Sequence, residues 1–342
     1  MIGNNQYKYL VGVRCFTFNQ SKYILDALNG FVMQQTNFPY VVMVVDDAST
    51  DGEQEVIRKF VDEQFDTNDT SVAYEKETDY AIVTYAQHKV NKNCYFAVLY
   101  LKENHYSQRK SKFPYLSEWR DNVKYEALCE GDDYWIHPQK LQMQVDFLEE
   151  NEEYGLVYGK SKHLMQESSS YINIGGRKIS GFEDLLLNYG IGTLTVMYRK
   201  CSADGYDNFV KEERKRSHWL MGDLPLWLFI TVKYKVYFID EIFAVYRVLE
   251  ESASHSKSYE KQRDFIKSSW DVRCFFADSF GRKDLKMIID ELHAHKIFYL
   301  AILYNRKDDA KKYIKIIRKT SFKEKLMYIL FVVLPFRYSI KK

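Results

Sequence analysis

Four acidic residues in this 342-residue chain stand where apolar runs give way to polar turns, and a fifth precedes an apolar segment. Asp46-Asp47 closes a Val-rich run, Asp132-Asp133 closes a second apolar run, and Asp223 stands alone before a proline. Ligands of open α/β sheets bind beyond the carboxyl ends of the strands, so carboxylates at such ends are the first candidates for a site. Carboxylates there can bind cations, accept hydrogen bonds or take up a proton.

Each acidic pair has two interpretations from the residues alone. Asp46 and Asp47 form either a solvated turn with side-chain-to-backbone bonds, or a carboxylate site for the base or ribose of a nucleotide. Asp132 and Asp133 form either a surface turn or a cation site. Successive side chains of extended backbone point to opposite faces, so one carboxylate can bind metal while the other reaches a ribose. Mg²⁺ or Mn²⁺ sites of this kind take their remaining oxygens from a diphosphate and water.

Asp223 can also act in two ways. It can cap a helix whose first turn contains Pro225, or it can be a general base that accepts a hydroxyl proton. The motifs of several other enzyme classes are absent, since the sequence has no G-x-G-x-x-G after a strand, no Walker A motif and no G-x-S-x-G elbow. The sequence therefore does not support a dehydrogenase, an ATPase or an α/β-hydrolase.

The spacing of apolar residues predicts the strands and helices that position these acidic residues. Short apolar runs alternate with amphipathic stretches over the first 160 residues, which predicts βαβ units around a mostly parallel sheet. Residues 166–181, with a run of serines and a glycine pair, are predicted to form a loop. Beyond Lys257 the pattern predicts helices. We expect a domain over residues 1–255 and a helical C-terminal region over residues 256–342.

Taken in order, the motifs resemble those of a family 2 glycosyltransferase of the GT-A type, over roughly residues 9–255. Cys-Phe-Thr-Phe-Asn at 15–19 resembles the segment that lines the nucleotide pocket. Val-Val-Asp-Asp-Ala-Ser-Thr-Asp at 44–51 is close to the family's Val-Asp-Asp-Gly-Ser-Thr-Asp. Glu-Gly-Asp-Asp-Tyr-Trp at 130–135 is similar to the D-x-D region of members that build bacterial surface polysaccharides. Gly-Asp-Leu-Pro-Leu-Trp at 222–227 resembles the element that carries the inverting base.

The resemblance implies a role for each candidate residue. Asp47 recognises the base, Asp133 binds the metal with Asp132 as its partner, and Asp223 is the catalytic base. The residues implied to bind the nucleotide sugar are Thr17, Phe18, Asn19, Asp46, Asp47 and Asp132. His255 is a further candidate for a metal or phosphate contact. Together these imply a metal-dependent, inverting transfer of a sugar from a nucleotide-diphosphate donor to an acceptor hydroxyl, with Mg²⁺ or Mn²⁺ as cofactor.

The chain departs from the family pattern at three places. Cys15-Phe16 replaces the proline of the first motif, and no Ala-Arg-Asn pattern precedes the D-x-D region, so no phosphate anchor is assigned. Residues 244–247, Ala-Val-Tyr-Arg, resemble the element that closes the core, but Val-Leu-Glu-Glu follows instead of histidine and glycines. Two alternatives remain, a nucleotidyltransferase acting on sugar phosphates and a non-catalytic carbohydrate-binding or assembly protein with the same fold.

The C-terminal region concentrates positive charge. Residues 305–342 contain 12 Lys or Arg against 3 Asp or Glu, and the rest of the chain is acidic. This composition suits a segment on an anionic membrane face, or a helix that packs on the catalytic domain with a solvated basic side. The apolar run at 326–336 is shorter than the ~20 residues of a spanning helix. Five scattered cysteines without C-x-x-C predict reduced thiols and a cytoplasmic setting.

The expected partners follow from the implied reaction and from this charge distribution. They are a nucleotide-sugar donor and a glycan or lipid-linked acceptor, with peripheral contact to the inner face of the cell membrane through the tail. Nucleic acid is not expected, because the acidic balance of the first 304 residues opposes it.

Overall fold

The computed structural model describes residues 7–217, 219–249, 256–318, 320 and 322–333. The chain divides into two compact units. Unit 1 contains Met1–Ile179, Gly190–Asp204 and Lys233–Arg247, and unit 2 contains Ser180–Tyr189, Gly205–Val232 and Val248–Lys342. The units are thus interleaved along the chain, and two segments before residue 255 belong with the C-terminal helices. The predicted boundary itself falls on residues outside the described ranges.

Unit 1 is built on a mixed β-sheet. The strands are β1 Val11–Thr17, β2 Tyr40–Asp46, β3 Tyr74–Glu77, β4 Ala81–Gln87, β5 Cys94–Leu101, β6 Tyr125–Leu128, β7 Tyr134–Trp135, β8 Tyr154–Met165, β9 Ser170–Gly175, β10 Met197–Arg199 and β11 Lys235–Val248. Their order in the sheet is β3-β4-β5-β2-β1-β6-β10-β8-β11-β7, with β9 paired to β8.

The four central strands, β5-β2-β1-β6, run parallel. Val11 pairs with Tyr40 and Thr17 with Asp46, so β1 and β2 end at the same edge of the sheet. The pairs β3-β4, β4-β5, β6-β10, β8-β10, β8-β9 and β7-β11 are antiparallel. The predicted α/β fold is confirmed, with its parallel part confined to the centre of the sheet.

The helices of unit 1 cover the sheet and bury their apolar sides. They are α1 Ile24–Val32, α2 Glu53–Gln64, α3 Ser117–Arg120 and α4 Lys140–Glu150. In α1 the buried residues are Ile24, Ala27, Leu28, Gly30 and Phe31, the spacing of one helix face. Every residue of β2 is buried, as expected for a central strand covered on both faces. This packing holds the strand ends that carry the acidic residues.

The β8–β9 hairpin replaces part of a predicted loop. Residues 166–181 were expected to lack regular structure, and this is wrong for Ser170–Gly175, which pairs with β8. Five of the six β9 residues are exposed and the sixth is half-buried. A strand with no buried face lacks the apolar alternation by which strands are recognised in a sequence.

Unit 2 is helical, as predicted for most of its length. Its helices are α5 Phe182–Leu187, α6 Tyr206–Ser217, α7 Asp223–Lys233, α8 Tyr259–Ser279, α9 Lys286–Leu303, α10 Lys307–Tyr313 and α11 Phe322–Tyr328. The buried Arg273 on α8 donates hydrogen bonds to the carbonyl oxygens of Leu186 and Asn188 and so holds the end of α5. Among the described residues, no helix has the length and apolar character needed to cross a bilayer.

Candidate active site

Asp47 follows β2 and lies against the loop of residues 103–112. Its Oδ1 accepts a hydrogen bond from the backbone N–H of His105 at 2.7 Å, and its Oδ2 accepts one from Tyr106 N–H at 3.0 Å. The Lys112 ammonium donates to Oδ2 at 2.9 Å. A carboxylate offers about four acceptor positions. The chain's own loop therefore occupies most of the hydrogen-bonding capacity of Asp47, whose side chain is only 1% exposed.

Asp46, the last residue of β2, forms the turn that one interpretation of the sequence expected. Its Oδ1 accepts hydrogen bonds from Ser49 N–H at 3.0 Å and from Gln54 Nε2 at 2.6 Å. Burial raises the pKa of this carboxyl, and the Ser49 and Gln54 hydrogen bonds oppose the rise. Asp46 thus orders the turn that carries Asp47. Its contact with a nucleotide stays a prediction.

The predicted pocket residues Thr17, Phe18 and Asn19 lie beside this turn. The Asp47 N–H donates to the Thr17 carbonyl at 3.0 Å. Asn19 has a left-handed φ of 54°, which asparagine tolerates, and its Oδ1 accepts from Thr50 N–H at 2.8 Å. Thr17 is buried, whereas Phe18 and Asn19 are exposed. Phe18 and Asn19 are therefore the members of this group that a ligand can reach.

Glu53, the first residue of α2, is a buried carboxylate that the sequence analysis missed. Its Oε1 accepts from the Thr17 hydroxyl, and its Oε2 accepts from Gln20 N–H at 2.8 Å and Ser49 Oγ at 2.9 Å. Burial raises its pKa, and these three hydrogen bonds oppose the rise. Glu53 so joins the loop after β1 to the loop after β2. An acidic residue in the first turn is common in any helix, so the sequence contained no distinctive signal for it.

Gly131 allows the turn after β6 to approach β1 closely. A Cβ at this position would lie 2.3 Å from Thr17 Oγ1 and 2.5 Å from Gln20 Oε1. The Gly131 N–H donates to the Phe16 carbonyl at 3.1 Å. Because Thr17 also accepts the Asp47 N–H, the ends of β1, β2 and β6 meet at one edge of the sheet in unit 1.

Asp132 and Asp133 occupy different environments in that turn. Asp133 is buried and its Oδ1 accepts a hydrogen bond from Arg247 N–H at 2.8 Å, whereas Asp132 is half-buried. Burial raises the pKa of both carboxyls, and the charges of Asp132 and Glu130 raise that of Asp133 further. The two carboxylates thus lie in different environments, and their separate roles stay a prediction.

Arg247, near the end of β11, supplies a positive charge next to this turn. Its guanidinium donates to the carboxylate of Asp26 and, at 2.7 Å, to Gln166 Oε1. It also lies 4.7 Å from the centre of the Tyr134 ring. The motif at 244–247 indicated only an element that closes the core. The contact between the Arg247 backbone and Asp133 comes from the tertiary structure.

The donor set of the turn fits a divalent cation whose remaining ligands come from substrate. Two adjacent carboxylates with raised pKa values repel each other, and a bound cation would relieve that repulsion. Among the described residues, no group of three His, Cys, Asp or Glu side chains is arranged to hold a metal. A diphosphate and water would have to complete the coordination. His255, the other predicted metal ligand, lies outside the described residues.

Asp223 is the first residue of α7 and belongs to unit 2. Its Oδ1 accepts a hydrogen bond from Leu224 N–H at 2.7 Å, which agrees with an acidic residue at a helix start. The side chain is half-buried. Its role as general base stays a prediction, as does its convergence with Asp47 and Asp133 on one pocket.

The chain is similar to several proteins in sequence. It is 25% identical over 287 residues to an uncharacterized protein of Mycobacterium tuberculosis (strain H37Rv), covering 82% of this chain and 68% of that one. It is 26% identical over 256 residues to the putative teichuronic acid biosynthesis glycosyltransferase TuaG of Bacillus subtilis (strain 168), covering 73% of this chain and 84% of TuaG.

Solved structures give a further comparison. TarS 1–349 of S. aureus in complex with UDP-GlcNAc matches at 17% identity with a TM-score of 0.47, covering 94% of this chain and 78% of that one. A longer TarS chain is covered to only 47%, so this protein spans about half of it. The mannosyltransferase PcManGT from Pyrobaculum calidifontis, in complex with GDP-Man and Mn²⁺, matches at 12% identity with a TM-score of 0.47, covering 92% of this chain and 81% of that one.

The family model for glycosyl transferase family 2 matches residues 16–105. That range contains the loop after β1, the Asp46-Asp47 turn, Glu53 and the start of the loop against Asp47, all in unit 1. The predicted GT-A type of fold and the predicted enzyme class are confirmed. The stretch that matches the family includes the Asp46-Asp47 motif but not Asp132, Asp133 or Asp223.

Proposed function

We propose that this glycosyltransferase moves a sugar from a nucleotide-diphosphate donor to an acceptor hydroxyl, with a divalent cation and with inversion at the anomeric carbon. One observation carries the proposal: the turn with Asp47 and the turn with Asp132 and Asp133 meet at one edge of the sheet. The Asp47 N–H donates to the Thr17 carbonyl, and Gly131, directly before Asp132, packs against the Thr17 side chain. One carboxylate is then available for the nucleoside and two for the diphosphate end of the donor. The family match over residues 16–105 covers the Asp47 turn and supports a sugar-transferring activity.

Donor recognition is assigned to the loops after β1 and β2. Asp47 would accept hydrogen bonds from the base, while Phe18 and Asn19 would line the pocket with their exposed side chains. The buried side chains of Asp46 and Thr17 would hold these two loops in position. The hydrogen bonds from His105, Tyr106 and Lys112 to Asp47 imply that the 103–112 loop shifts when the base arrives. TarS has been solved with UDP-GlcNAc and PcManGT with GDP-Man, which supports a nucleotide sugar as the donor class.

Cation binding is assigned to Asp133, with Asp132 as its partner. A Mg²⁺ or Mn²⁺ ion bound there would neutralise charge that develops on the departing nucleoside diphosphate. PcManGT is known with Mn²⁺, in line with this choice. The Arg247 backbone N–H would hold Asp133 in place, and the Arg247 guanidinium would add positive charge nearby. His255 is kept as a candidate for a further contact.

Proton transfer is assigned to Asp223. Its carboxylate would accept the proton of the acceptor hydroxyl while that oxygen attacks the anomeric carbon from the face opposite the leaving group. A carboxylate is a sufficient base when proton transfer lags behind cleavage of the bond to the leaving group. A single displacement of this kind inverts the anomeric configuration.

The acceptor is proposed to be a glycan or lipid-linked intermediate of cell-surface polysaccharide or glycolipid assembly. The relative TuaG carries a name from teichuronic acid biosynthesis, which supports this class. We place the enzyme in the cytoplasm, since all five cysteines are free. The basic C-terminal region is proposed to contact the inner face of the membrane.

A donor panel tests the proposal. The purified protein is incubated with Mn²⁺ and each of several UDP-, GDP- and dTDP-sugars, and release of free nucleoside diphosphate is measured. We expect one donor to be hydrolysed and the activity to be lost in Asp133→Ala. Asp69→Ala, in an exposed loop of the same unit, is the matched control and should retain the activity. Full transfer to a true acceptor by Asp223→Asn would disprove the base assignment.

A further inference from the structure

The β8–β9 hairpin carries exposed apolar side chains for which the proposed reaction has no role. Tyr171, Ile172 and Ile174 are exposed by 56%, 52% and 56%. Single exposed apolar residues are ordinary on protein surfaces, but three within four residues of one strand form a patch. Such patches mark interaction sites.

A β-bulge places two of these apolar side chains, Tyr171 and Ile174, on one face of the hairpin. Ile174 pairs with Lys162 and Tyr171 pairs with Leu164, with the register shift between them. Directly opposed residues of an antiparallel pair share a face, and residues two apart on β8 also share one. Ile174, Tyr171, Leu164 and Lys162 therefore lie on the same side, which we call the hairpin face. The Lys162 ammonium lies 5.3 Å from the centre of the Tyr171 ring, in agreement with this assignment.

Positive charge surrounds the apolar side chains. Residues 154–179 contain four Lys or Arg, of which Lys160 pairs with Asp240 on β11, and a single acidic residue, Glu167. Arg177 and Lys178 are exposed directly after β9, and Lys162 stands on the hairpin face itself. Apolar side chains flanked by Lys and Arg are typical of segments that rest on anionic lipid, because the chains enter the interface while the cations meet the headgroups.

The hairpin is joined to the candidate site within unit 1. Gln166, directly after β8, accepts a hydrogen bond from the Arg247 guanidinium at 2.7 Å. The Arg247 backbone in turn donates to Asp133 at 2.8 Å. A surface bound by the hairpin face would thus lie next to the turn that carries Asp132 and Asp133.

We propose that the hairpin face docks on an anionic lipid bilayer. We choose an anionic bilayer as the partner because its negative headgroups complement the positive charge of the hairpin face and its interior accepts the apolar side chains. The proposal does not rest on the sugar-transfer reaction and is separate from the membrane contact assigned to the C-terminal region.

Vesicle sedimentation with the full-length protein tests the proposal. One set of vesicles contains phosphatidylcholine alone and the other contains added phosphatidylglycerol. The double variant Tyr171→Ser/Ile174→Ser should bind phosphatidylglycerol vesicles at least ~10-fold more weakly, because apolar burial is lost. Arg177→Gln/Lys178→Gln should weaken that binding ~30-fold, about fivefold for each cation, with no effect on phosphatidylcholine.

Val90→Ser is the matched control, since Val90 is 84% exposed and lies outside the hairpin. It should bind as the parent protein does. Urea unfolding midpoints of all variants should stay unchanged, which separates lost docking from lost folding. Unchanged vesicle binding by both hairpin variants would overturn the proposal. It would also be overturned by light scattering that shows a dimer broken by Tyr171→Ser/Ile174→Ser, with vesicle binding intact, because a second copy would then cover the face.

Discussion

The Lys112 ammonium lies 2.9 Å from Oδ2 of Asp47 and holds the 103–112 loop against the carboxylate that is proposed to read the donor's base. Lys112 is also 4.8 Å from the centre of the Phe16 ring, at the end of β1. The backbone N–H groups of His105 and Tyr106 donate to the same carboxylate. Because the Asp47 side chain is only 1% exposed, a base can reach it only when the loop moves away.

Nucleotide binding should release the amides of His105 and Tyr106. If the base takes over Asp47, these amides lose their acceptor, and we expect their hydrogen exchange to accelerate by about tenfold or more, the equivalent of one hydrogen bond to a charged group. The measurement is exchange by mass spectrometry or NMR with and without the preferred nucleoside diphosphate. Slower exchange on binding would show that Asp47 stays bonded to the loop and does not read the base.

Lys112→Met should loosen the loop before any nucleotide is bound. The substitution keeps the length of the side chain and removes the charge-assisted bond to Asp47, which is worth about 1.5–3 kcal/mol. Exchange at His105 and Tyr106 should then rise roughly 10- to 100-fold.

Lys110→Met is the matched control for this loop, because Lys110 pairs with Glu103 at a position where both side chains are exposed. An exposed pair contributes little to stability because solvent screens it, so exchange should change little. Equal effects of the two substitutions would rule out a special role for the bond between Lys112 and Asp47.

Gly131→Ala should damage activity much more than stability. The new methyl group would lie 2.3 Å from Thr17 Oγ1, so the turn that carries Asp132 and Asp133 must move away from β1. We expect a stability loss of about 1–3 kcal/mol by urea unfolding and a fall of about 100-fold in donor hydrolysis. Gly192→Ala is the control, because its Cβ would meet no atom closer than 3.5 Å. Full activity of Gly131→Ala would show that the close approach is unnecessary.

Lys140 should make the stability of the protein depend on pH. Its ammonium is buried and bonded to Gln144 Oε1 at 2.8 Å, and burial lowers its pKa to about 7. The unfolded chain holds this proton up to a pH of ~10.4, so between pH 7 and pH 10 the unfolded state binds more protons than the folded state. The contribution of Lys140 to folding stability therefore rises with pH in this window and is lowest below pH 7.

Lys140→Met removes the titrating group and tests that dependence. The free energy of unfolding of the variant, minus that of the parent, should fall by up to ~1.4 kcal/mol for each pH unit above 7. The measurement is urea unfolding of both proteins from pH 6.5 to 9.5, with the interval chosen around the pKa of about 7. A constant difference across that range would mean that Lys140 keeps its proton in the folded state.

Part of the candidate site could be read from the sequence because its signals are local. Asp47 and Asp133 each follow a short apolar run, and the structure places both after parallel strands at one edge of the sheet. Glu53 and Lys112 could not be found in this way. Their contacts with Thr17 and Asp47 join residues 36 and 65 positions apart, and no local pattern marks either partner.

The sequence by itself determined which segments become the buried parallel strands and where those strands end, since burial on both faces imposes an apolar run that stops at the sheet edge. Only the tertiary structure decided what surrounds the carboxylates at that edge. His105 N–H reaches Asp47 across 58 positions, and Arg247 N–H reaches Asp133 across 114. Backbone donors carry no residue-specific signal, so contacts of this kind appear only once the chain has folded.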